Sequence, residues 1–220
     1  MQEWRLKGLR TGNLHDIDGL LTNEHARSAE PLLPLRQIRL RISYHNAIVG
    51  ATHKGEGKGM KPTGVYIHGL DTSSRGTKGL FFEEQYPDVL REDYAGPFEE
   101  RMAKLHRVLE GRENLILVGS SYGGLMAAVF AALHADRVKK IVLLAPALTL
   151  PEFTPYLAHR SNVPAVVYHG ICDDVVPPAG VEKVCRRVFS RLDYHAVDDD
   201  HLLHKTFRGL DWDGLLETGP

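Results

Sequence analysis

Cysteine is scarce in this 220-residue chain, which contains only Cys172 and Cys185. Two cysteines outside a CxxC spacing provide neither a disulfide framework nor a typical metal-binding motif. The scarcity therefore favours a reducing, cytoplasmic location. The amino-terminal segment mixes charged residues into its first positions and shows no apolar core of a secretory signal, which favours the same location.

Long hydrophobic runs and an excess of one charge are also missing. The longest apolar stretch, residues 141–150, spans ten residues and contains Pro146, whereas a membrane-spanning helix needs about 20 apolar residues. No membrane span is therefore predicted. The chain has 27 Lys and Arg against 28 Asp and Glu, and this balance argues against a broad nucleic-acid-binding surface.

Residues 1–36 differ in pattern from the rest of the chain. Residues 1–36 are polar and interrupted by glycine and proline, and we interpret them as an amino-terminal extension to a single domain at residues 37–220. Residues 37–44 alternate apolar and polar side chains, which predicts a half-buried strand. The Gly/Lys-rich residues 54–61 suggest a phosphate-binding loop, but they lack the GK[ST] ending, so a solvated loop is predicted.

From residue 64 onward, apolar runs alternate with segments of helical periodicity. The runs that predict strands are residues 64–68, 114–119, 140–145, 163–169 and 193–197. The segments that predict helices are residues 79–86, 97–109, 125–134 and 180–189, and residues 202–207 predict the start of a terminal helix. Continuous apolar strands alternating with helices indicate an α/β fold with a mainly parallel sheet and helices on both faces.

A Gly-Ser-Ser-Tyr-Gly sequence at residues 119–123 matches the G-x-S-x-G pattern. A predicted strand runs directly into it and a predicted helix follows, which is the setting of a nucleophile elbow. The tight turn strains the backbone of Ser121 and lifts its hydroxyl above the carboxyl edge of the sheet. Ser121 is therefore the candidate nucleophile. Ser120 is the alternative, although its position predicts a side chain that points to the interior.

Two later loops, each at a predicted strand end, supply the partners that a serine nucleophile needs. A general base must accept the serine proton, and a carboxylate must orient the base. The first loop offers Asp173 and Asp174 as the carboxylate, and the second offers His201 and His204 as the base.

Two alternative interpretations of these loops are a cation-binding site and a catalytic cysteine. The three acids at residues 198–200, with the two nearby histidines, would suggest a cation site, but such a run more often forms a solvated loop. Cys172 adjoins the acid loop without an elbow of its own, so a small buried side chain is expected there.

Four motifs together carry a family resemblance. They are His68-Gly69, G-x-S-x-G at residues 119–123, G-x-x-D-x-x-V-P at residues 170–177 and Asp200-His201. With them the chain resembles the α/β-hydrolase superfamily over roughly residues 37–210. Residues 68–78, HGLDTSSRGTK, are similar to small bacterial serine esterases of that superfamily with little or no cap.

The resemblance implies an α/β-hydrolase fold with a minimal cap and assigns the site residues. Ser121 is then the nucleophile, Asp173 the acid and His201 the base. The backbone N–H groups of Leu70 and Tyr122 would form the oxyanion hole, and no cofactor or metal is implied. Outside this set, the sequence predicts that the His68 side chain fixes its loop and that His169 is a structural strand residue.

The connection after the predicted strand at residues 140–145 limits the size of the cap and therefore the kind of substrate. Residues 148–162 are too few for a multi-helix lid, and residues 150–159 are expected to form a small flap. The predicted function is a serine hydrolase that cleaves a carboxylic ester or thioester of a small-molecule acyl substrate through an acyl-enzyme intermediate. A peptidase or amidase using the same triad, and a hydrolase fold kept as a binding module, remain open. The sequence does not indicate an oligomeric state.

Overall fold

The computed structural model describes residues 61–217. The predictions for residues 1–36 and 37–44, and all but the last residue of the loop at 54–61, lie outside this part of the chain. The division of the chain at residue 36 therefore stays a prediction.

The described residues form a six-stranded sheet in which every pairing is parallel. The strands are β1 (Thr63–Ile67), β2 (Leu90–Arg91), β3 (Leu115–Ser120), β4 (Val138–Leu144), β5 (Ala165–Gly170) and β6 (Leu192–Val197). Their order across the sheet is β2-β1-β3-β4-β5-β6. Every residue of β3, at the centre, is buried, because helical crossovers cover both faces of a parallel sheet.

Five α-helices and two short 3₁₀ helices connect or follow these strands. The α-helices are α1 (Thr77–Gln85), α2 (Phe98–Val108), α3 (Tyr122–Leu133), α4 (Pro178–Val188) and α5 (Trp212–Leu216). The 3₁₀ helices span Pro151–Tyr156 and Phe207–Gly209. Between residues 61 and 217, no helix is long and apolar enough to cross a membrane.

Helices pack against both faces of the sheet. On one face, Val118 and Val142 belong to the same apolar cluster as Phe82 of α1 and Trp212 of α5. On the opposite face, α3 lies so close to Gly119 that a side chain there would collide with its backbone. The two faces are thus both buried, as the continuous apolar strands predicted.

The predicted terminal helix at residues 202–207 is wrong. Leu203 has a φ of 55°, in the left-handed region that interrupts a right-handed helix. The side chain of Asp200 also accepts hydrogen bonds from the amides of Leu202 and His204. Because these amides are captured locally, the segment forms turns, and a 3₁₀ helix begins only at Phe207.

The topology collects the loops of interest at one edge of the sheet. Parallel strands end at the same edge, and the pairing of β5 with β6 runs to Gly170 opposite Val197. The segments that follow β1, β3, β5 and β6 therefore emerge side by side. These segments carry all of the predicted site residues.

Candidate active site

Ser121 occupies the sharp turn between β3 and α3. Its backbone angles are φ 54° and ψ −117°, outside the regions that a serine normally adopts. The turn is held by the Ser121 amide, which donates to the Leu144 carbonyl at 2.8 Å. Ser121 is partly exposed, whereas Ser120 is buried at the end of β3.

The two glycines of the elbow are required because the backbone of neighbouring segments lies too close to leave room for a side chain. A Cβ at Gly119 would lie 2.3 Å from the Gly123 carbonyl oxygen. A Cβ at Gly123 would lie 2.1 Å from the carbonyl oxygen of Ile67 in β1. Real Cβ atoms do not approach so closely, so only glycine allows this strand, turn and helix to pack together.

His201 links Ser121 to Asp173. Its Nε2 lies 3.0 Å from Ser121 Oγ, and its Nδ1 lies 2.7 Å from Asp173 Oδ2. We infer the tautomer from these partners, since a carboxylate oxygen only accepts: Nδ1 donates to Asp173, which leaves Nε2 to accept from the serine hydroxyl. The structure therefore brings together the three residues that the sequence assigned to a triad, from three separate loops.

Asp173 is buried, and both of its carboxylate oxygens are hydrogen-bonded. Oδ1 accepts from the backbone amides of Val175 and Val176 at 2.9 and 2.8 Å. Oδ2 accepts from His201 and also from Nε2 of His169, at 2.9 Å. Burial opposes ionisation of this carboxyl, but the hydrogen bonds from His169, His201 and Val176 outweigh it and hold the pKa of Asp173 below its usual range.

The alternative acid and base do not contact Ser121. Asp174 is exposed, unlike its buried neighbour. His204 is also exposed, and its Nδ1 lies 2.6 Å from Asp200 Oδ2. Of the two aspartates and two histidines considered, the structure joins only Asp173 and His201 to the serine.

The acids before His201 form a local scaffold. Asp199 is buried, and its carboxylate accepts from the amide of Asp200 at 2.8 Å and from those of Lys205 and Thr206 at 3.0 and 2.8 Å. The expected solvated loop is therefore wrong for Asp199, because its carboxylate caps the turns that carry His201. Within residues 61–217, no group of three His, Cys, Asp or Glu side chains is arranged to hold a metal.

His68 shapes the loop beside the nucleophile. Its Nε2 accepts from the amide of Tyr94 at 2.8 Å, so its Nδ1 is the donor to the Gly69 carbonyl at 2.7 Å. Burial lowers the pKa of His68, which favours the neutral ring that this pattern requires. A Cβ at Gly69 would lie 3.8 Å from Ser121 Oγ, so the peptide leading to Leu70 lies next to the nucleophile.

Tyr122 presents two groups to the site. As the first residue of α3, it has a backbone N–H with no carbonyl partner inside the helix. Its phenol donates to Glu152 Oε1 at 3.1 Å, and burial, together with the charge and hydrogen bond of Glu152, raises the pKa of Tyr122 to about 12. This contact ties the 3₁₀ helix after β4 to the elbow.

The segment expected to form a flap is a single 3₁₀ helix, Pro151–Tyr156. Phe153 is almost fully buried, so it packs inward, although the sequence left it available to a flap. The connection between β4 and β5 contains no further helix. The minimal cap predicted from its length is what the structure contains.

The sequence does not reveal two features beside Asp173. His169 is a buried strand residue, as predicted, but it also contacts the Asp173 carboxylate directly, which the sequence does not predict. Cys172, expected to be buried, is exposed. The only available signal for His169 was its position four residues before Asp173 at the end of a strand, which does not reveal the direction of its side chain.

A family model described as the alpha/beta hydrolase fold matches residues 69–158, which include the elbow. Among solved structures, Est1E from Butyrivibrio proteoclasticus, with ferulic acid bound, aligns with a TM-score of 0.61 and 15% identity, over 76% of this chain and 90% of its own. The chain has the α/β-hydrolase fold. The resemblance to that superfamily indicated by the four motifs is thereby confirmed.

Other structures with the α/β-hydrolase fold align with somewhat lower TM-scores. Alpha/beta hydrolase domain-containing protein 10 from mouse has a TM-score of 0.58 and 20% identity, over 69% of this chain and 86% of its own. A monoacylglycerol lipase from Paleococcus ferrophilus has a TM-score of 0.54 and 16% identity, over 70% and 96%. A comparison with curated proteins finds no significant match. At these identities the likeness concerns the fold.

Proposed function

We propose that the protein is a serine hydrolase that cleaves a carboxylic ester or thioester through an acyl-enzyme intermediate. The observation that carries this proposal is the continuous hydrogen-bonded chain from Ser121 through His201 to Asp173, with distances of 3.0 and 2.7 Å. A nucleophile, a general base and an orienting carboxylate require this arrangement.

The geometry supports a reaction in two stages. His201 Nε2 accepts the hydroxyl proton as Ser121 Oγ attacks the carbonyl carbon, and Asp173 stabilises the imidazolium that forms. The backbone N–H groups of Leu70 and Tyr122 donate to the developing oxyanion. His201 then passes its proton to the departing alcohol or thiol, and a water molecule repeats the sequence on the acyl-enzyme. No step requires a cofactor.

Exposed apolar side chains that are close in sequence to the proposed site residues support an ester substrate with an apolar acyl or alcohol group. Within the described residues, four of the five exposed large hydrophobic side chains lie at, or within two positions of, a proposed site residue: Leu70, Ile171, Val175 and Leu202. Exposed apolar side chains gathered in one region often mark a binding site. Together with the short connection after β4, they support a small-molecule ester bound in an open site.

The proposal also includes a cytoplasmic location and no nucleic-acid partner. Supporting the location are the two cysteines, which are free. The near-neutral charge supports the absence of a nucleic-acid partner. Fractionation of cells that express the full chain tests the location.

Labelling with a serine-directed phosphonate tests the nucleophile. We expect the wild type to form a 1:1 covalent adduct, detected by intact-protein mass spectrometry. Ser121→Ala should not be labelled and should lose about 10⁴- to 10⁶-fold in kcat while keeping its Tm. Ser120→Ala, the matched control, should still be labelled. Labelling of Ser121→Ala but not of Ser120→Ala would reject the assignment.

A substrate panel then separates ester hydrolysis from the alternatives. The panel consists of an oxygen ester, a thioester and an anilide that share one acyl group. We expect the ester or thioester to give the highest kcat/KM. Preferred turnover of the anilide would favour an amidase, and a wild type that neither forms the phosphonate adduct nor turns over any member would favour a binding module.

A further inference from the structure

His169 is the second histidine on the acid of the proposed triad. It lies at the end of β5 and is fully buried. Its Nε2 is 2.9 Å from Asp173 Oδ2 and 2.9 Å from the Val176 carbonyl oxygen. Both neighbours are acceptors, so Nε2 must carry the hydrogen.

The other ring nitrogen defines the protonation of His169. Its Nδ1 is buried and has no hydrogen-bond partner among the described residues. A second proton there would be a buried donor without an acceptor, which is costly. The ring therefore carries its single proton on Nε2 and acts toward Asp173 as a neutral donor.

Asp173 Oδ2 is shared between two imidazole donors. His201 Nδ1 approaches at 2.7 Å and His169 Nε2 at 2.9 Å, while Oδ1 is occupied by two backbone amides. The carboxylate thus has a fixed rotation, so Oδ2 faces His201. A donor on Oδ2 also withdraws negative charge from that oxygen, which weakens its attraction for an imidazolium at His201.

We infer that His169 is a positioning residue for the proposed triad: it fixes Asp173 and keeps His201 unprotonated to lower pH. The inference rests on the proposed function. Its physical basis is that both effects act through one oxygen. Losing the donor would leave the carboxylate held by the two backbone amides on Oδ1 and by His201 alone on Oδ2, which loosens its orientation and makes Oδ2 a stronger partner for the charged imidazole.

Other titratable groups near this network are few. Burial, followed by the charges of Cys185 and Glu182, raises the pKa of Tyr194 in β6, with a smaller contribution from Asp173. The Tyr194 phenol donates to the Pro178 carbonyl at 3.5 Å. Around His201, Asp200 and His204 pair with each other in the same loop. From α1, Lys78 donates to the Leu202 carbonyl. Of the described histidines, only His169 and His201 contact Asp173.

Two substitutions at His169 distinguish the effect of its hydrogen-bond donor from the effect of its side-chain volume. His169→Leu fills the site without a donor, whereas His169→Gln can place an amide N–H near the position of Nε2. We expect His169→Leu to lower kcat by about 10- to 100-fold, equivalent to one charge-assisted hydrogen bond, with a smaller change in KM. The acidic limb of its kcat/KM profile should move to higher pH by roughly half to one unit. His169→Gln should restore both quantities most of the way.

The controls address folding and the dependence on the proposed function. His134→Leu is matched, because His134 also has a buried ring nitrogen without a partner among the described residues and lies at the opposite end of α3 from Ser121. It should leave the pH profile unchanged. If His169→Leu does not fold, His169→Asn replaces it, since its shorter amide does not reach Asp173. Proton NMR titration of His201 gives its protonation midpoint without turnover.

The outcomes are distinct. An upward shift of the midpoint in His169→Leu or His169→Asn, reversed in His169→Gln, supports the inference. An unshifted midpoint, or equal losses in all His169 variants, would overturn it and leave His169 a packing residue. A wild type that forms no phosphonate adduct contradicts the proposed function instead, while the NMR titration still decides whether His169 acts on His201.

Discussion

Asp173 and Asp174 are adjacent carboxylates with opposite surroundings. Asp173 is buried and hydrogen-bonded on both oxygens, whereas Asp174 is exposed. Only the first can orient an imidazole, because orientation requires a fixed partner. Chemical similarity between neighbours therefore says little about role when the turn directs their side chains differently.

Exchanging each acid for its amide tests this difference. Asp173→Asn should reduce kcat/KM by roughly 10⁴-fold, because the amide favours the wrong tautomer of His201. Asp174→Asn should leave kcat/KM close to that of the wild type. Steady-state kinetics with one ester, together with Tm values to exclude unfolding, gives the comparison. An inactive Asp174→Asn beside an active Asp173→Asn would reverse the assignment.

At the scale of elements, the loop after β6 shows how acidic side chains hold the segment that carries His201. Asp199 is buried, and its carboxylate accepts hydrogen bonds from three backbone amides, whereas Asp198 is exposed and forms an ion pair with Lys205 at 3.3 Å. Burial opposes ionisation of Asp199, but these hydrogen bonds outweigh it and lower the pKa of its carboxyl. Leu203, with its left-handed backbone, lies inside the segment that Asp199 closes.

Removing the Asp199 carboxylate should disturb both stability and turnover. In Asp199→Ala, three amides lose their acceptor, and we expect a loss of about 2–3 kcal/mol in the free energy of unfolding. The kcat should also fall, because the turns that hold His201 in place lose their cap. Asp198→Ala, the matched control, should change stability by less than about 0.5 kcal/mol, as exposed ion pairs do.

Urea unfolding and steady-state kinetics measure these two effects. Equal, small effects of both substitutions would mean that the loop does not depend on Asp199. A fall in kcat without any loss of stability would instead point to a direct role of this carboxylate in the reaction.

For the whole molecule, pH sensitivity should arise partly from a site remote from the triad. His134, at the end of α3, packs against Phe130 and His106, with ring centroids 4.6 and 5.0 Å away. Burial, followed by the charges of His106 and Arg137, lowers the pKa of His134 to about 4. The unfolded chain, with a histidine pKa of about 6.5, therefore binds the proton more readily.

The sign of the effect follows from this difference. Between about pH 6.5 and 4 the unfolded state binds more protons at His134, so stability falls as the pH decreases. His134→Phe keeps an aromatic ring but cannot titrate. Its Tm should fall less than that of the wild type between pH 7 and pH 4.5. The corresponding difference in the free energy of unfolding is at most roughly 3 kcal/mol.

Thermal unfolding across this pH range gives the measurement, with the exposed His159→Gln as a matched control that keeps the wild-type slope. Parallel curves for the wild type and His134→Phe would show that His134 is protonated equally in both states.

Local patterns in the sequence were sufficient to predict the architecture and to single out Ser121 as the candidate nucleophile. Continuous apolar runs such as β3 can only be buried on both faces, and the G-x-S-x-G turn is so tight that Gly119 and Gly123 follow from sterics alone. Within residues 61–217, the predicted strands and most helices agree with the structure to within a few residues, because periodicity and burial reflect the same physical requirement.

Tertiary structure alone decided which of several chemically equivalent side chains meet. The capping role of Asp199 and the contact of His169 with Asp173 depend on side-chain direction at loops from different strands. The left-handed backbone of Leu203 also prevents the helix that the sequence predicts at residues 202–207. The sequence determines the order of these groups along the chain. Their side chains come within hydrogen-bond distance of one another, about 3 Å, only when the sheet aligns the ends of its strands.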